Sequence, residues 1–396
     1  MSATVLVTDG EERAALAAVR SLGRAGHRAV VVSATGRSLA GASRHASAQH
    51  AAPTALADPD GFGAEVERIA RAERADMLLP ISEAALLALL PRRRSLEPCR
   101  IPFPDLERVR AVSDKARVTA AAAAAGVAVP EQVTLRSPAD LAVLDSRALA
   151  YPLVVKPARS VIEGPGGRLK LGVLHVSSAE ALDGALRALP EAAYPLLLQR
   201  RIVGPGVGVF LLLWGGELVA AFAHRRIREK PPSGGVSVYR ESVALDPGLL
   251  ARSRALLERF GWEGVAMIEY KLDAATGTPY LMEINGRFWG SLQLAVDAGV
   301  DFPALLVSLA LGRRPEPVLS YRVGVRSRWW LGDLDHLLAR LRHSPSDLAL
   351  PPGSPGRLRA ALDFLTLWRP GDRSEIFRWS DPRPGLREAL QWLQGR

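Results

Sequence analysis

The chain has 396 residues, 48% of them hydrophobic and 23% charged, a balance that excludes a disordered chain and a length that suggests two to four compact units. No apolar run exceeds the seven residues of Ala84–Leu90, far short of the roughly 20 that cross a bilayer, and a single cysteine, Cys99, excludes an internal disulfide or a multi-cysteine metal site. The net charge of +10 comes from 46 arginines and only five lysines spread among 41 acidic residues, a compositional habit rather than a binding stripe, so neither a nucleic-acid nor a membrane partner is expected.

The first residues carry no basic segment, so no signal peptide is expected and the cytoplasm is the expected location. Val5–Val7, Ala29–Val32 and Met77–Ile81 read as strands. They alternate with helical spacing over 11–25 and 62–72, which predicts a parallel sheet with crossover helices. The first strand ends in Thr8-Asp9-Gly10, where an open α/β sheet binds ligands. The chain contains neither GxGxxG nor GxxxxGK[ST], so it lacks the dinucleotide and P-loop fingerprints.

Asp114–Ala125 is an alanine-rich helix ended by Gly126, and Leu153–Lys156 a strand closed by Pro157. Glu163-Gly164-Pro165-Gly166-Gly167 is a glycine-rich loop expected to lead into an apolar strand around Val173. A helix over 179–189 and a strand over 196–199 follow. Val207–Leu213 and Leu218–Ala223 then read as a hairpin around Trp214-Gly215-Gly216. Pro315 and Pro317 mark a boundary before a distinct final module, which holds five of the eight tryptophans and is interrupted by Pro351-Pro352-Gly353.

Residues 263–285 form the second hairpin. If Leu272 pairs with Tyr280, Glu269 faces Glu283 across the ladder, and period 2 brings Asn285 and Arg287 to the same face. Facing carboxylates repel, so a cation between them is one solution, and removing Glu283 is expected to relieve the apoprotein. Two carboxylates and an amide oxygen suit Mg²⁺ completed by water and phosphate. On spacing alone, a metal-binding hairpin and a solvated hairpin with exposed acids stand equally open. In a chain whose cations are mostly arginine, each lysine marks a place for a compact point charge.

Four stretches fall in a fixed order: Ser113-Asp114-Lys115, Pro152-Leu-Val-Val-Lys156-Pro157, Gln199-Arg-Arg-Ile202 and Glu283-Ile-Asn285-Gly-Arg287. Together, over residues 1 to about 312, they resemble the ATP-grasp superfamily and, within it, the carboxylate–amine ligase-like branch. The resemblance implies mixed α/β and α+β architecture. A Rossmann-like pre-ATP-grasp domain would span 1–110, the two ATP-grasp subdomains 111–200 and 201–314, and a C-terminal extension of unknown role 315–396. It implies that Lys115 and Lys156 hold the α- and β-phosphates of ATP, and that Gly164, Gly166 and Gly167 belong to a flap over the triphosphate. Gln199, where the family often has Glu, would face the adenine amino group, with the backbones of Arg200 and Ile202 completing the hinge. Glu269, Glu283 and Asn285 would hold one or two Mg²⁺ ions, with Mn²⁺ as a substitute, and Arg287 would face the γ-phosphate and the acyl phosphate made from it. In the cationic run His224–Lys230, Arg226 is the best match for the basic residue near the γ-phosphate and the substrate carboxylate. His224 reads as its structural neighbour.

The implied activity is an ATP-dependent, ADP-forming carboxylate–amine ligase acting on small molecules, with a homodimer left open. A carboxylase or phosphotransferase on the same fold is the alternative within the class. A basic nucleic-acid-binding or regulatory ATP-binding protein is the alternative outside it. The last 80 or so residues, with Trp329-Trp330 and 15 arginines against nine acidic residues from 313 onward, read equally as a substrate lid, an oligomer contact or a docking surface.

Overall fold

The computed structural model describes residues 2–164, 166–351, 353–367 and 369–395, so Pro165 of the glycine-rich loop and Pro352 of the tail lie outside the described residues. The first unit alternates β1 (Thr4–Val7), α1 (Arg13–Arg24), β2 (Arg28–Ser33), β3 (Ala46–Ala51), α2 (Pro59–Ala72), β4 (Met77–Leu79) and α3 (Glu83–Leu89). Its strands are parallel, in the order β3-β2-β1-β4. The winding reverses between β1 and β4, which opens a crevice at their C-terminal ends. There Asp9 accepts hydrogen bonds from Ser82 N–H (3.1 Å) and Oγ (2.7 Å) and ties the two strand tips together. Ser82 also caps α3, accepting from Ala85 N–H, as Asp58 caps α2. The unexpected strand is β3. Its sequence Ala-Ser-Ala-Gln-His-Ala has no β-branched or aromatic residue, and it forms by pairing with the edge of β2.

The second unit contains α4 (Leu106–Ser113), α5 (Lys115–Ala124), β5 (Gln132–Leu135), β6 (Leu153–Pro157), the hairpin β7 (Val161–Gly164) and β8 (Gly167–Lys170), then β9 (Leu174–Val176), α6 (Ala179–Ala188) and β10 (Leu196–Arg200). Four of its strands make an antiparallel sheet in the order β5-β10-β6-β9, and β7–β8 stands apart. The glycine-rich stretch is therefore the tip of a hairpin. The strand expected around Val173 starts one residue later, with Val173 itself exposed.

The third unit runs β11 (Gly206–Trp214), β12 (Glu217–Lys230), β13 (Val236–Ser242), α7 (Pro247–Arg259), β14 (Gly264–Leu272), β15 (Pro279–Asn285), α8 (Leu292–Ala298) and α9 (Phe302–Ala310). The C-terminal segment adds β16 (Arg326–Arg328), α10 (Trp330–Arg342), α11 (Arg357–Leu365), β17 (Asp372–Ser374) and α12 (Arg383–Gln394). All seven strands of these two stretches form one sheet, β15-β14-β11-β12-β13-β16-β17. The distinct final module expected from the sequence is thus woven into the third unit. The physical reason is that α11 buries no residue of its own and α12 only Pro384. The segment is secured instead by pairing β16 to β13 and by ion pairs to α1: Arg13–Glu375 (2.6 Å) and the buried Arg20–Asp381 (2.8 Å).

One continuous core joins the first unit to the seven-stranded sheet. Helices α4 and α5 of the second unit also pack into this core through Val109, Val112, Val118 and Ala122, whereas the antiparallel sheet and α6 have a smaller core of their own, built on Leu153, Val155, Leu182, Leu196 and Leu198. The cleft between the two sheets therefore separates two independently packed bodies. Among the described residues no single helix is long and apolar enough to cross a membrane.

Candidate active site

Alternation along β6 sends Leu153 and Val155 into the small core and turns Val154 and Lys156 to the opposite face, level with Gln199 and Leu197 of β10. Lys156 is buried, and its Nζ meets Met282 Sδ across the cleft, at 3.9 Å. Burial pulls its pKa down to about 8, against the opposing attraction of Glu283. Lys115 opens α5 just after the capping residue Asp114, and its N–H bonds to the Ala158 carbonyl at the end of β6 (2.8 Å). Its Nζ reaches Ser160 Oγ (2.7 Å) and Glu283 Oε2 (3.3 Å). Gln199 Nε2 donates to Gln132 Oε1 (2.6 Å), and Gln132 donates to Thr119, so the amide oxygen of Gln199 is not used in that chain. The Arg200 N–H donates to the Glu131 carbonyl (2.8 Å) as β10 runs on beside β5, so a hinge contact from this residue would fall to its carbonyl. Ile202 is buried just beyond it.

Glu269 and Glu283 do face each other between β14 and β15, by a route the alternation did not anticipate. At the turn Lys271, not Leu272, pairs with Tyr280, one residue out of the expected register. A bulge between Glu269 and Tyr270 then restores the carboxylate pair. The expected mutual repulsion is answered by protein cations. Glu283 pairs with Lys115, and Glu269 with Arg226 Nη2 (2.5 Å). Their titrations diverge accordingly. Burial disfavours ionising Glu283, but Lys115, the Asn285 amide and Lys156 outweigh it and hold the carboxyl at about 2. For Glu269 burial and the Glu283 charge prevail over Arg226 and push its pKa up. Removing Glu283 would therefore strand two lysines rather than relieve the fold, which corrects the expectation from repulsion alone.

Asn285 donates to Glu283 Oε1 (3.0 Å) and accepts from Arg287 Nη2 (2.9 Å) at its Oδ1, while Arg287 Nη1 is held by the Phe288 carbonyl (2.8 Å). Among the described residues no three His, Cys, Asp or Glu side chains form a metal cluster. A divalent ion here would rest on Glu269, Glu283 and the Asn285 amide oxygen, an all-oxygen set that fits Mg²⁺ completed by phosphate and water.

Across the sheet, β11 carries Gly206 and Gly208 where a side chain would collide. A Cβ at Gly206 would meet Arg226 Cδ at 2.8 Å, and one at Gly208 the Phe210 ring at 2.5 Å and His224 Nε2 at 3.0 Å. These glycines let Arg226 and His224 lie over β11. Arg226 Nη1 bonds Glu229 (2.7 Å) and the Gly235 carbonyl (3.1 Å), and its Nε is buried with no partner. The two carboxylates outweigh burial and keep its pKa raised. His224 packs edge-on against Phe210, its ring nitrogens without partners. Burial pulls its pKa well below the usual value, so it is neutral.

A narrow crevice of about 10 Å³ is lined by Lys115, Ser160, Glu283, Asn285 and Arg287 together with Glu83, Ser113 and Gly286. Glu83 and Ser160 escaped the sequence reading. Ser160 lies four residues past Lys156 in an irregular link, and Glu83 belongs to another unit, at the first turn of α3. The tip of the β7–β8 hairpin rests on the first unit. Arg168 N–H donates to the Leu56 carbonyl (2.6 Å), and a Cβ on Gly167, whose φ is +157°, would strike the Ala57 carbonyl at 2.6 Å. Gly164 and Gly166 flank that contact, so this hairpin bridges the first two units.

Two separately packed bodies closing on a cleft of lysines, carboxylates and arginine define the ATP-grasp fold. Residues 192–330 match the model of a family described as ATP-grasp in the biosynthetic pathway with Ter operon. That match covers about a third of the chain, and the fold of the whole is shared with solved ATP-grasp enzymes. Similar solved structures include the L-amino acid ligase of Bacillus licheniformis, with 19% identity, a TM-score of 0.60 and coverage of 78% of this chain and 74% of that one. The biotin carboxylase of Campylobacter jejuni shows 18% identity and a TM-score of 0.60 over 81% and 74% of the two chains. The N5-carboxyaminoimidazole synthetase of Staphylococcus aureus with ADP shows 14% identity and a TM-score of 0.60 over 82% and 80%. No curated protein sequence matches the chain.

Proposed function

We propose that the protein is an ATP-dependent ligase that joins a small carboxylic acid to an amine through an acyl phosphate, releasing ADP and phosphate. The observation that carries this reading is the convergence of Lys115, Glu283, Asn285 and Arg287 on one crevice, with Lys156 meeting Met282 of the same strand and Arg226 tied to the facing Glu269. Lys156 and Lys115 would bind the nucleotide's phosphates as point charges. Mg²⁺ held by Glu269, Glu283 and Asn285 would neutralise charge on the phosphates. Arg287, fixed by Asn285 and the Phe288 carbonyl, would meet charge developing on the transferred phosphoryl group. The Nε–H of Arg226, unpartnered while the other two guanidinium nitrogens bond Glu229, Gly235 and Glu269, suits an anion here, the transferred phosphate or the acid that approaches it. Glu83 faces the crevice from the first unit and would meet a cationic amine. The separate core of the β5-β10-β6-β9 sheet supports closure over the acyl phosphate and exclusion of water.

The arginine excess fits internal use. Arginine takes part in most of the ion pairs among the described residues, including the buried pairs of Arg20, Arg240 and Arg328.

The test is ADP and phosphate release across a matrix of carboxylic acids and amines, with mass detection of the product and hydroxylamine trapping of the acyl phosphate as a hydroxamate. Stoichiometric AMP would overturn the mechanism. Turnover with bicarbonate as the only effective acid would instead establish the carboxylase reading, to which the likeness to a biotin carboxylase lends weight.

A further inference from the structure

We infer that α10 of the C-terminal segment positions Arg226 for its anion, with Glu229 as the link and His336 as the residue that ties the link to the helix. The inference rests on the reading of Arg226 as the anion-binding residue.

The end of β12 is irregular. Its pairing with β13 slips twice, between Arg226 and Arg228 and again between Arg228 and Glu229. Bulges loosen the ladder that would otherwise fix these side chains. Three successive residues past the first slip are gripped from outside the sheet. Arg228 is held bidentately by Asp333 (2.6 Å at both oxygens). The Glu229 carbonyl accepts from His336 Nδ1 (2.6 Å), which fixes that nitrogen as the protonated one. Lys230 Nζ meets Asp335 (2.5 Å).

Glu229 is thus bound on two sides. Its backbone is fastened to α10 and its carboxylate to Arg226 Nη1. A shift of the Glu229 backbone would carry that carboxylate with it and turn the guanidinium, whose Nε is the unpartnered donor. The helix is itself anchored. Asp333 is fully buried and also binds Arg328 Nε of β16 (2.6 Å), whose other donors go to the Phe364 and Thr366 carbonyls. The chain of contacts therefore runs from the C-terminal segment to one guanidinium in the candidate site, and position 336 is where it can be loosened without stranding a buried charge.

The experiment uses the full chain and compares His336→Leu with His336→Asn, whose side-chain amide can donate from the Nδ1 position. Inorganic phosphate is titrated calorimetrically into protein saturated with MgADP, and amide exchange of the 226–236 hairpin is followed by mass spectrometry. In His336→Leu, phosphate binding should weaken about tenfold, the scale of one lost positioning hydrogen bond. MgADP affinity should stay within about twofold, and the hairpin should exchange faster. His336→Asn should restore both. Unchanged phosphate affinity in His336→Leu, or a loss that Asn does not rescue, overturns the positioning role. Failure of the unsubstituted protein to bind phosphate while it binds MgADP overturns the anion reading of Arg226, and the positioning proposal with it.

Discussion

The two hairpins that bring charge to the crevice are held by different means. β14–β15 lies against the long central strand β11 and is aligned by its own ladder, with one bulge that keeps Glu269 opposite Glu283. The far end of β12–β13 slips twice and is steadied by a helix more than 100 residues later in the chain. The first hairpin places its site residues by local pairing. The second depends on tertiary contact, so a defect far from the site should reach Arg226 but leave Glu283 in place.

The sharpest break of that contrast is within the first hairpin. Glu283→Gln should reduce ADP release by about 1,000-fold, at the upper end for loss of a preorganised electrostatic group. Glu283→Ala should in addition lower stability by about 1–2 kcal/mol, because Lys115 and Lys156 lose their carboxylate. Chemical denaturation would measure it, and a more stable alanine variant would refute the pairing.

Arg287→Met should slow the chemical step by roughly 100-fold while nucleotide affinity holds, read by single-turnover kinetics beside an ADP-binding titration. A change confined to affinity would make Arg287 a ground-state phosphate ligand.

Arg226→Lys keeps the charge but loses the fork that binds Glu229, Gly235 and Glu269 together. The KM for the acid should rise about tenfold and that for ATP little. Equal effects on both would place Arg226 with the nucleotide.

The smallest effect is a proton. Burial sets Lys156 at about 8 in the folded protein against 10.5 unfolded, so the native lysine sheds its proton first. Between those values the unfolded chain holds more protons, and this group makes stability rise with pH. Phosphate binding favours the ammonium. ATP binding near pH 8.5 should therefore take up a fraction of a proton, seen as a buffer-dependent heat. Lys156→Met should abolish that uptake, weaken ATP binding and, at pH 7, stabilise the apoprotein by about 1–3 kcal/mol.

Much of this was written locally. Strands β1, β2 and β4 and helices α1 and α2 of the first unit announce themselves by spacing, whereas α3 lies in a nearly unbroken apolar run without a helical period and β3 carries no strand signal in its small polar residues. The Glu283-Ile-Asn285-Gly-Arg287 run places its carboxylate, amide and guanidinium near one another by the two-residue period of a strand, and Lys156 declares itself on an apolar strand in a lysine-poor chain. Sequence alone thus determined the fold class and which residue types fall close together in the candidate site, because periodicity and residue type are properties of neighbours in the chain. Tertiary structure decided which cation answers which carboxylate, that Glu83 and Ser160 line the crevice, and that the final segment completes the sheet and grips β12. Those outcomes depend on packing between residues tens to hundreds of positions apart, and a buried charge takes whichever counter-charge that packing brings within reach.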